Sequence, residues 1–368
     1  MRFVSPILKR LVYPGIASTG YFSLSERPGL AVITYHGVLP GRYQSIDSGF
    51  DGSLITADTF RRQLRLLKRK YTVISPEDLL QWRRHGGQFP RRAALLTCDD
   101  GFLNNVTEML PILQDEGLKC LFFITGGSLG ARRTMLWYEE LFLMLMRAPA
   151  GHFRISHGNV HVEGVLGPRE QRRALWWDAV KRLSQVDAEC REEFLAAGHA
   201  HFGLTRALEH YLATYPQAER HFCLLTVSEV RELSAAGMTI GAHTLSHPVL
   251  TQLPTELAWS EILDSKTGLE SALNKRVWAF AYPFGDPPSV NSRILAMSKQ
   301  VGFEAAFLNT GGGLGAKLPP HAIPRVHVTA NMNLGEFEAH ISGFYEMMQG
   351  WRRPRPETPA PALAPARP

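Results

Sequence analysis

Cysteine is scarce in this chain of 368 residues: there are four cysteines, far apart, with no CxxC pair. This distribution argues against a disulfide framework and favours buried or free thiols in a reducing compartment. Long apolar runs are missing as well, and none approaches the ~20 residues that a bilayer-spanning helix needs. There is also no long basic stripe interleaved with aromatic residues, so nucleic-acid binding is not expected.

The net charge is +6, and much of it lies in short runs near the two ends, such as Lys9 with Arg10 and Arg352 with Arg353. A basic balance also suits an anionic glycan, a lipid phosphate or a membrane surface. Charges and Pro14 interrupt the opening apolar residues, so no secretory signal is predicted and the expected location is the cytoplasm. The opening segment could still make peripheral contact with the inner face of the membrane, although ordinary packing of a terminus is favoured.

Apolar residues make up 45% of the chain, and short strand-like runs alternate with stretches of helical periodicity. The runs predicted as buried strands are residues 30–34, 71–74, 93–97, 118–124, 239–242, 277–281 and 323–328. Ser75 is a predicted helix N-cap, and Thr226 with Glu229 has the spacing of a capping box. The alternation predicts an α/β fold with a parallel sheet, open or barrel-like.

The predicted organisation has three parts: an N-terminal segment (1–29), a main domain (30–345) and a tail (346–368). Residues 127–225, approximately, break the strand–helix alternation, because they are rich in helix formers and aromatics with no convincing strands. We predict a helical insertion there, which either covers the active face or is a packed appendage. From Pro354 onward the chain is rich in proline and alanine without apolar periodicity, which predicts a disordered tail.

Two adjacent carboxylates, Asp99 and Asp100, directly follow the predicted strand 93–97 and precede Gly101. Adjacent carboxylates repel each other unless a cation is present or one of them is protonated. Helix capping by a polar loop is the ordinary explanation for such a pair, so the pair by itself does not indicate a site.

His243 and His247 follow the predicted strand 239–242 and are four residues apart. If this segment turns helically, both imidazoles can converge on one ion, and imidazole suits zinc and neighbouring transition metals. A pair of hydrogen-bonded histidines in a polar loop is the alternative. Two histidines and one carboxylate from another strand end would leave open positions on a metal, as a catalytic ion requires.

A third turn, Tyr282, Pro283, Phe284 and Gly285, comes directly after the predicted strand 277–281. Proline followed by an aromatic residue and glycine makes a sharp exit from the strand, which can present a backbone N–H to a ligand. As an isolated pattern it is an ordinary turn.

Taken in order, the segments TCDDG (97–101), HTLSH (243–247) and YPFG (282–285) resemble the first three motifs of the polysaccharide deacetylases. This family is carbohydrate esterase family 4, with the nodulation-factor deacetylase homology domain. The resemblance covers most of residues 30–330 apart from the insertion. It implies a distorted (β/α) barrel and metal-dependent hydrolysis of N-acetyl or O-acetyl groups.

Residue roles carried over from the family are expectations. Asp99 would be the general base, and the backbone N–H of Phe284, with Tyr282 and Pro283 beside it, would hold the oxyanion and the substrate. One divalent ion, zinc first with cobalt, nickel or iron as alternatives, would have three ligands: Asp100, His243 and His247. The implied partner is an acetylated glycan.

The sequence departs from the family at the residue that orients the base. Many members carry an arginine before the proline of the third motif, whereas this chain has Ala281 two places before Pro283. Either Asp99 lacks an orienting cation or another residue supplies it. Arg325, in the predicted strand 323–328, is our candidate, and an ordinary salt bridge is an equally good explanation of that arginine.

The general acid has two candidates, His36 and His327. The late histidine, His327, lies where many family members carry the acid. The pair Tyr35 and His36 after the first strand instead resembles the subgroup that deacetylates poly-N-acetylglucosamine, in which an early histidine has that role. We favour His36.

The predicted function is therefore a metal-dependent hydrolase that removes N-acetyl or O-acetyl groups from a polysaccharide or a lipid-linked oligosaccharide, as in exopolysaccharide biosynthesis. The alternative is a catalytically inactive glycan-binding protein on the same fold. The complete Asp-Asp and His-His set argues against inactivity, while the missing arginine keeps that alternative open.

Overall fold

A computed structural model describes residues 11–24, 29–41, 43, 51–130, 132–215, 217–310 and 318–345. The predicted tail (346–368) and the charged opening decapeptide lie outside the described residues. Within them, no helix is long and apolar enough to cross a bilayer.

The strands of the described chain are short, as in most parallel sheets. Their bounds are β1 (Leu30–Tyr35), β2 (Gly37–Leu39), β3 (Leu54–Thr56), β4 (Thr72–Val73), β5 (Ala93–Cys98), β6 (Leu121–Ile124), β7 (Gly151–His157), β8 (Val160–Leu166), β9 (Thr239–Ala242), β10 (Ala279–Ala281), β11 (Ala305–Phe307) and β12 (Val326–His327).

The helices alternate with these strands outside the insertion. Their bounds are α1 (Tyr13–Ser18), α2 (Tyr21–Leu24), α3 (Ala57–Lys70), α4 (Pro76–His85), α5 (Leu110–Glu116), α6 (Trp137–Arg147), α7 (Arg169–Leu183), α8 (Ala188–Phe202), α9 (Ala207–Thr214), α10 (Ala218–Phe222), α11 (Val227–Ala235), α12 (Thr255–Leu273), α13 (Ser292–Gln300) and α14 (Leu334–Ile341).

A curled parallel sheet forms the centre of the fold. Among the described residues its order is β11-β10-β9-β6-β5-β1-β12, and β4 pairs with the first half of β5. The two edges meet at one segment: Ile323 bridges Phe307 of β11, and Val326 and His327 pair with β1. The predicted barrel is therefore confirmed.

Burial on both faces explains why these residues form strands. Every residue of β1 and of β5 is buried, as expected for a parallel strand covered by helices on one side and barrel core on the other. The predicted caps also form: Asp78 accepts the N–H of Ser75 before α4, and Glu229 accepts the N–H of Thr226 before α11. Because the strands are parallel, their carboxyl ends lie at one rim of the barrel.

The insertion is not purely helical, so that part of the prediction was wrong. Strands β7 and β8 form an antiparallel hairpin between α6 and α7. Its turn is Gly158 and Asn159, with Gly158 at φ 54°, a conformation that favours glycine. Phe153, Ile155 and Val162 face inward, and polar residues between them face solvent. Polar and apolar residues alternate along both strands, which is the pattern of half-buried strands, so the sequence did carry a signal for this hairpin.

A buried arginine connects the insertion to the barrel. Arg191 of α8 is 1% exposed and donates to the carbonyl of Val186 at 2.7 Å. Its other nitrogen contacts Ser246 and lies 3.5 Å from a carboxylate oxygen of Glu261 in α12. Glu261 in turn accepts the N–H of Ser246 at 2.8 Å, so one network joins α8, α12 and the loop that contains both predicted metal-binding histidines.

Replacing this arginine is expected to destabilise the protein. Arg191→Met keeps the length of the side chain but leaves the Glu261 carboxylate buried without its cation, at a cost of about 3–5 kcal/mol. Arg182→Ala is the control, because Arg182 forms only an exposed pair with Asp178, worth less than about 0.5 kcal/mol. Thermal unfolding of both variants checks this, and equal midpoints would contradict it.

Candidate metal centre and active site

The carboxyl ends of the barrel strands surround a cavity of about 320 Å³. Every predicted catalytic or metal-binding side chain except that of Arg325 lines this cavity. These lining residues are His36 after β1, Asp99 and Asp100 after β5, His243 and His247 after β9, and His327 of β12.

Three of these residues form a compact, buried group that could hold a metal ion. Nε2 of His243 lies 3.4 Å from Oδ1 of Asp100, and Nε2 of His247 lies 3.3 Å from the same oxygen. Zinc bonds of about 2.0–2.1 Å imply donor separations of roughly 3.3–3.4 Å around a tetrahedral ion, so the distances fit. The residues therefore fit one divalent ion.

The outer hydrogen bond of His243 sets its tautomer for ligation. Its Nδ1 lies 2.8 Å from the carbonyl oxygen of Ala281, which can only accept, so Nδ1 carries the proton and Nε2 keeps its lone pair. Burial opposes ionisation of Asp100, but the adjacent imidazoles of His243 and His247 outweigh it and hold the pKa of Asp100 well below its usual range. All three side chains are thus presented as donors to a cation.

Tight turns, not a helix, bring the two histidines together. Thr244 and His247 have φ of 64° and 58°, and Asp100 has φ of 74°, in the left-handed region that residues with side chains seldom adopt. The hydroxyl of Thr244 accepts the N–H of His247 at 3.0 Å and holds the turn. From the sequence, a helical turn is one way to bring His243 and His247 together. Residues 243–247 form no helical turn, although the two imidazoles do lie close together. Strained backbone of this kind is typical of functional sites.

Arg325 forms a two-pronged ion pair with Asp99. Both terminal nitrogens of the guanidinium donate to the carboxylate, each at 2.6 Å, and Nε donates to the carbonyl of Leu308 at 2.9 Å. Both side chains are buried, with Arg325 0% exposed. Burial by itself would raise the pKa of Asp99, but Arg325 outweighs it and lowers that pKa below its usual value. The carboxylate is therefore ionised and fixed in orientation at neutral pH.

The two candidate acids lie side by side. The rings of His36 and His327 are 4.7 Å apart, and each has an enclosed ring nitrogen without a hydrogen-bond partner among the described residues. Burial, and then the neighbouring His36, lower the pKa of His327 to about 3. His327 is therefore neutral at physiological pH. The backbone of His36 is held by Asn105, whose amide donates to its carbonyl at 3.3 Å.

The segment YPFG (282–285) offers the cavity a backbone N–H, while the Tyr282 hydroxyl is engaged elsewhere. The hydroxyl of Tyr282 is within 2.7 Å of the Ser298 hydroxyl and donates to the carbonyl of His321 at 2.9 Å, so it is already engaged. Phe284 has φ of 60°, and its N–H makes no hydrogen bond to any described residue. This N–H is thus available to a ligand at the cavity wall.

The insertion supplies one wall of the cavity, which the sequence alone did not establish. Tyr138, Glu139, Trp176 and Trp177 all line it. The ring of Tyr138 lies 5.0 Å from that of His247. The aromatic composition of 127–225 was the available signal. It left open whether the insertion covers the active face or is a packed appendage, and the structure shows that four of its residues line one wall of the cavity. Asn309, also at the wall, had no signal in the sequence.

The metal assignment predicts the metal content of variants. Asp100→Asn, His243→Ala and His247→Ala should each bind less metal, since each removes one donor, and the double histidine variant should bind essentially none. His157→Ala, on the exposed hairpin, is the control. Elemental analysis after dialysis against metal-free buffer measures this, and one ion per chain in the double variant would refute the assignment.

Two known proteins share the fold of this chain. The deacetylase PplD of Streptococcus pyogenes, solved in complex with acetate, aligns with a TM-score of 0.53 at 17% identity, covering 86% of this chain and 99% of that one. IcaB from Ammonifex degensii aligns with a TM-score of 0.53 at 16% identity, covering 86% and 98%. At such identities the similarity establishes the fold.

Sequence comparison agrees with the fold. Residues 201–306 match the family model for polysaccharide deacetylase. The putative polysaccharide deacetylase YxkH of Bacillus subtilis (strain 168) is 26% identical over 117 residues, which are 32% of this chain and 41% of that protein. The chain thus matches less than half the length of this curated relative. These matches confirm the resemblance to the polysaccharide deacetylases that the sequence motifs carry.

Proposed function

We propose that this protein is a metal-dependent hydrolase that removes N-acetyl groups from a polysaccharide or a lipid-linked oligosaccharide. One observation carries the proposal. An ionised carboxylate, Asp99, held by Arg325, lies in the same cavity as three convergent donors, Asp100, His243 and His247. Hydrolysis of an amide needs both a proton acceptor for the attacking water and a strong electrophile, and this cavity offers a site for each.

The three donors Asp100, His243 and His247, from here on the metal group, form the site for the electrophile. The metal group would hold a divalent ion, with zinc as the first choice, which would supply Lewis-acid chemistry: polarisation of an acetyl carbonyl and a lower pKa, toward ~7, for a bound water. The residues of the chain then have separate tasks. Asp99 accepts the proton of the attacking water, and Arg325 keeps its carboxylate ionised and in place. The N–H of Phe284 donates to the carbonyl oxygen as negative charge develops there.

His36 is the residue we assign as general acid. The leaving amine needs a proton from a group within about 3 Å or one water away. His327 is neutral at physiological pH because its pKa is about 3, so it is a poor donor. His36 is half-buried at the same cavity and lies against His327. We assign His327 to packing against His36 and to substrate contact.

The alternative function, a catalytically inactive glycan-binding protein, has lost its main support. It rested on the absence of the usual arginine beside Pro283, and Arg325 now provides a cation for the same carboxylate. Esters of the same sugars need the same groups, so O-acetyl substrates remain within the proposal. A reducing, cytoplasmic location with peripheral membrane contact also remains a proposal, in line with four free cysteines in the described chain.

Acetate release tests the proposed activity and the role of Asp99. Purified, metal-loaded protein is incubated with a panel of acetylated glycans, and acetate is measured. Asp99→Asn should bind metal normally but lose about 10²–10⁴-fold in turnover, because an amide cannot accept the proton. Arg182→Ala should match the parent. Parental turnover in Asp99→Asn would rule out the base, and no acetate from any glycan would refute the activity.

A second comparison separates the two histidines. His36→Ala should lower kcat strongly with little change in KM and normal metal content, since the lost group acts on the leaving amine. His327→Ala should have the smaller effect on kcat. The reverse order, with His327→Ala inactive and His36→Ala near normal, would transfer the acid role to His327.

A further inference from the structure

Glu139, on the first turn of α6, is a carboxylate without a visible partner at the cavity wall. Its Oε2 atom is enclosed and has no hydrogen-bond partner among the described residues. The adjacent Glu140 differs, because it faces away from the cavity and pairs with Arg206 and His199. Burial, followed by the negative charge of Asp100, raises the pKa of Glu139 well above its usual value.

An enclosed carboxylate of this kind is costly unless something donates hydrogen bonds to it. Leaving such a group unsatisfied is destabilising, and more so if it is charged. Glu139 could be placed in solvent by a small shift of α6, yet the helix is held by Arg206 through Glu140 and by Trp176, whose indole donates to the carbonyl of Tyr138 at 2.8 Å. The residue is thus held at the cavity by its neighbours, which indicates a ligand that supplies the donors.

Aromatic rings surround the same part of the cavity. Trp177 lies 5.7 Å from Trp176 and 5.6 Å from Phe284, and Tyr138 lies 5.6 Å from Phe284. Trp176, Trp177 and Tyr138 are half-buried, so each retains a surface that a ligand can contact. Aromatic faces beside a few fixed polar groups suit a ligand with both apolar faces and hydroxyl edges.

We propose that Glu139 and Trp177 form a saccharide subsite beside the metal group. The Glu139 carboxylate accepts hydrogen bonds from hydroxyl groups of the sugar ring, and Trp177 contacts the apolar face of that ring. This inference rests on the proposed function, which supplies the acetylated sugar. A neutral hydroxyl suits the subsite better than an ammonium group, because a divalent ion at Asp100 repels a second cation in the same cavity.

The subsite makes Glu139 a specificity-determining residue and not a member of the reacting set. A hydrogen bond from a sugar hydroxyl to the Glu139 carboxyl group is made alike in the ground state and the transition state, so its loss falls on KM. Glu139→Ala should raise KM for tri-N-acetylchitotriose by about 10- to 100-fold, with kcat within about threefold. Glu139→Gln retains one acceptor oxygen and the same shape, so its KM should lie between that of the parent and that of Glu139→Ala.

The experiment uses the metal-loaded full chain, with metal content as the check on folding. Glu163→Gln, on the exposed hairpin and paired only with Arg154, is the matched control and should keep the parental KM. An unchanged KM in Glu139→Ala would overturn the subsite. A fall in kcat at constant KM would also overturn it, because Glu139 would then act in the chemical step.

Binding measured by calorimetry separates this inference from the proposed function. If the parent releases no acetate, the activity is refuted, and the subsite is tested by the affinity of tri-N-acetylchitotriose alone. Weaker binding to Glu139→Ala than to the parent and to Glu163→Gln supports the subsite. Equal binding to all three, or no binding to the parent, overturns it.

Discussion

The ion pair between Arg325 and Asp99 is the interaction on which the rest of the site depends. It joins the end of β5 to the segment that closes the barrel, and both partners are buried. Taking two charges out of water costs several kcal/mol per ion unless the geometry is good and the remaining donors are satisfied. Here the pairing is two-pronged, Leu308 accepts the third donor, and the guanidinium lies 5.4 Å from the ring of Phe123. A lowered pKa makes Asp99 a weaker base, but it favours the ionised form that the proposed role as proton acceptor requires.

A second constraint is that the cavity is built from two parts of the chain. The barrel rim supplies the metal group and Asp99, while the insertion supplies Tyr138, Glu139 and the tryptophans. Arg191 couples the two through Ser246, which lies between His243 and His247 in the same tight turn. Packing of the insertion is therefore coupled to the turn that positions His243 and His247 as well as to the width of the cavity. Under the proposed function, the same wall would decide which glycan fits, since the rim residues would carry the chemistry.

Much of the barrel and its rim could be predicted from the sequence, because buried parallel strands are apolar runs and their ends bear the polar motifs. Arg325 could be predicted as well, because Asp99 needs a cation and Ala281 stands where many family members carry the arginine. Other features depended on contacts that sequence does not encode locally. Nothing adjacent in the chain distinguishes Glu139 from Glu140, yet one faces the cavity and the other pairs with Arg206. The hairpin is a different case, because the alternation of apolar and polar residues along β7 and β8 is a local signal of half-buried strands, which the abundance of helix formers and aromatics around it outweighed.

The most direct measurement of the central claim is a metal titration of acetate release. The protein is freed of metal with a chelator, and zinc is added back in fractions of an equivalent while acetate release from an N-acetylated oligosaccharide is followed. The account predicts no turnover without metal, a linear rise, and a plateau at one ion per chain, since one group of three donors holds the ion. Full turnover by the metal-free protein, or a rise that continues well beyond one equivalent, would contradict it.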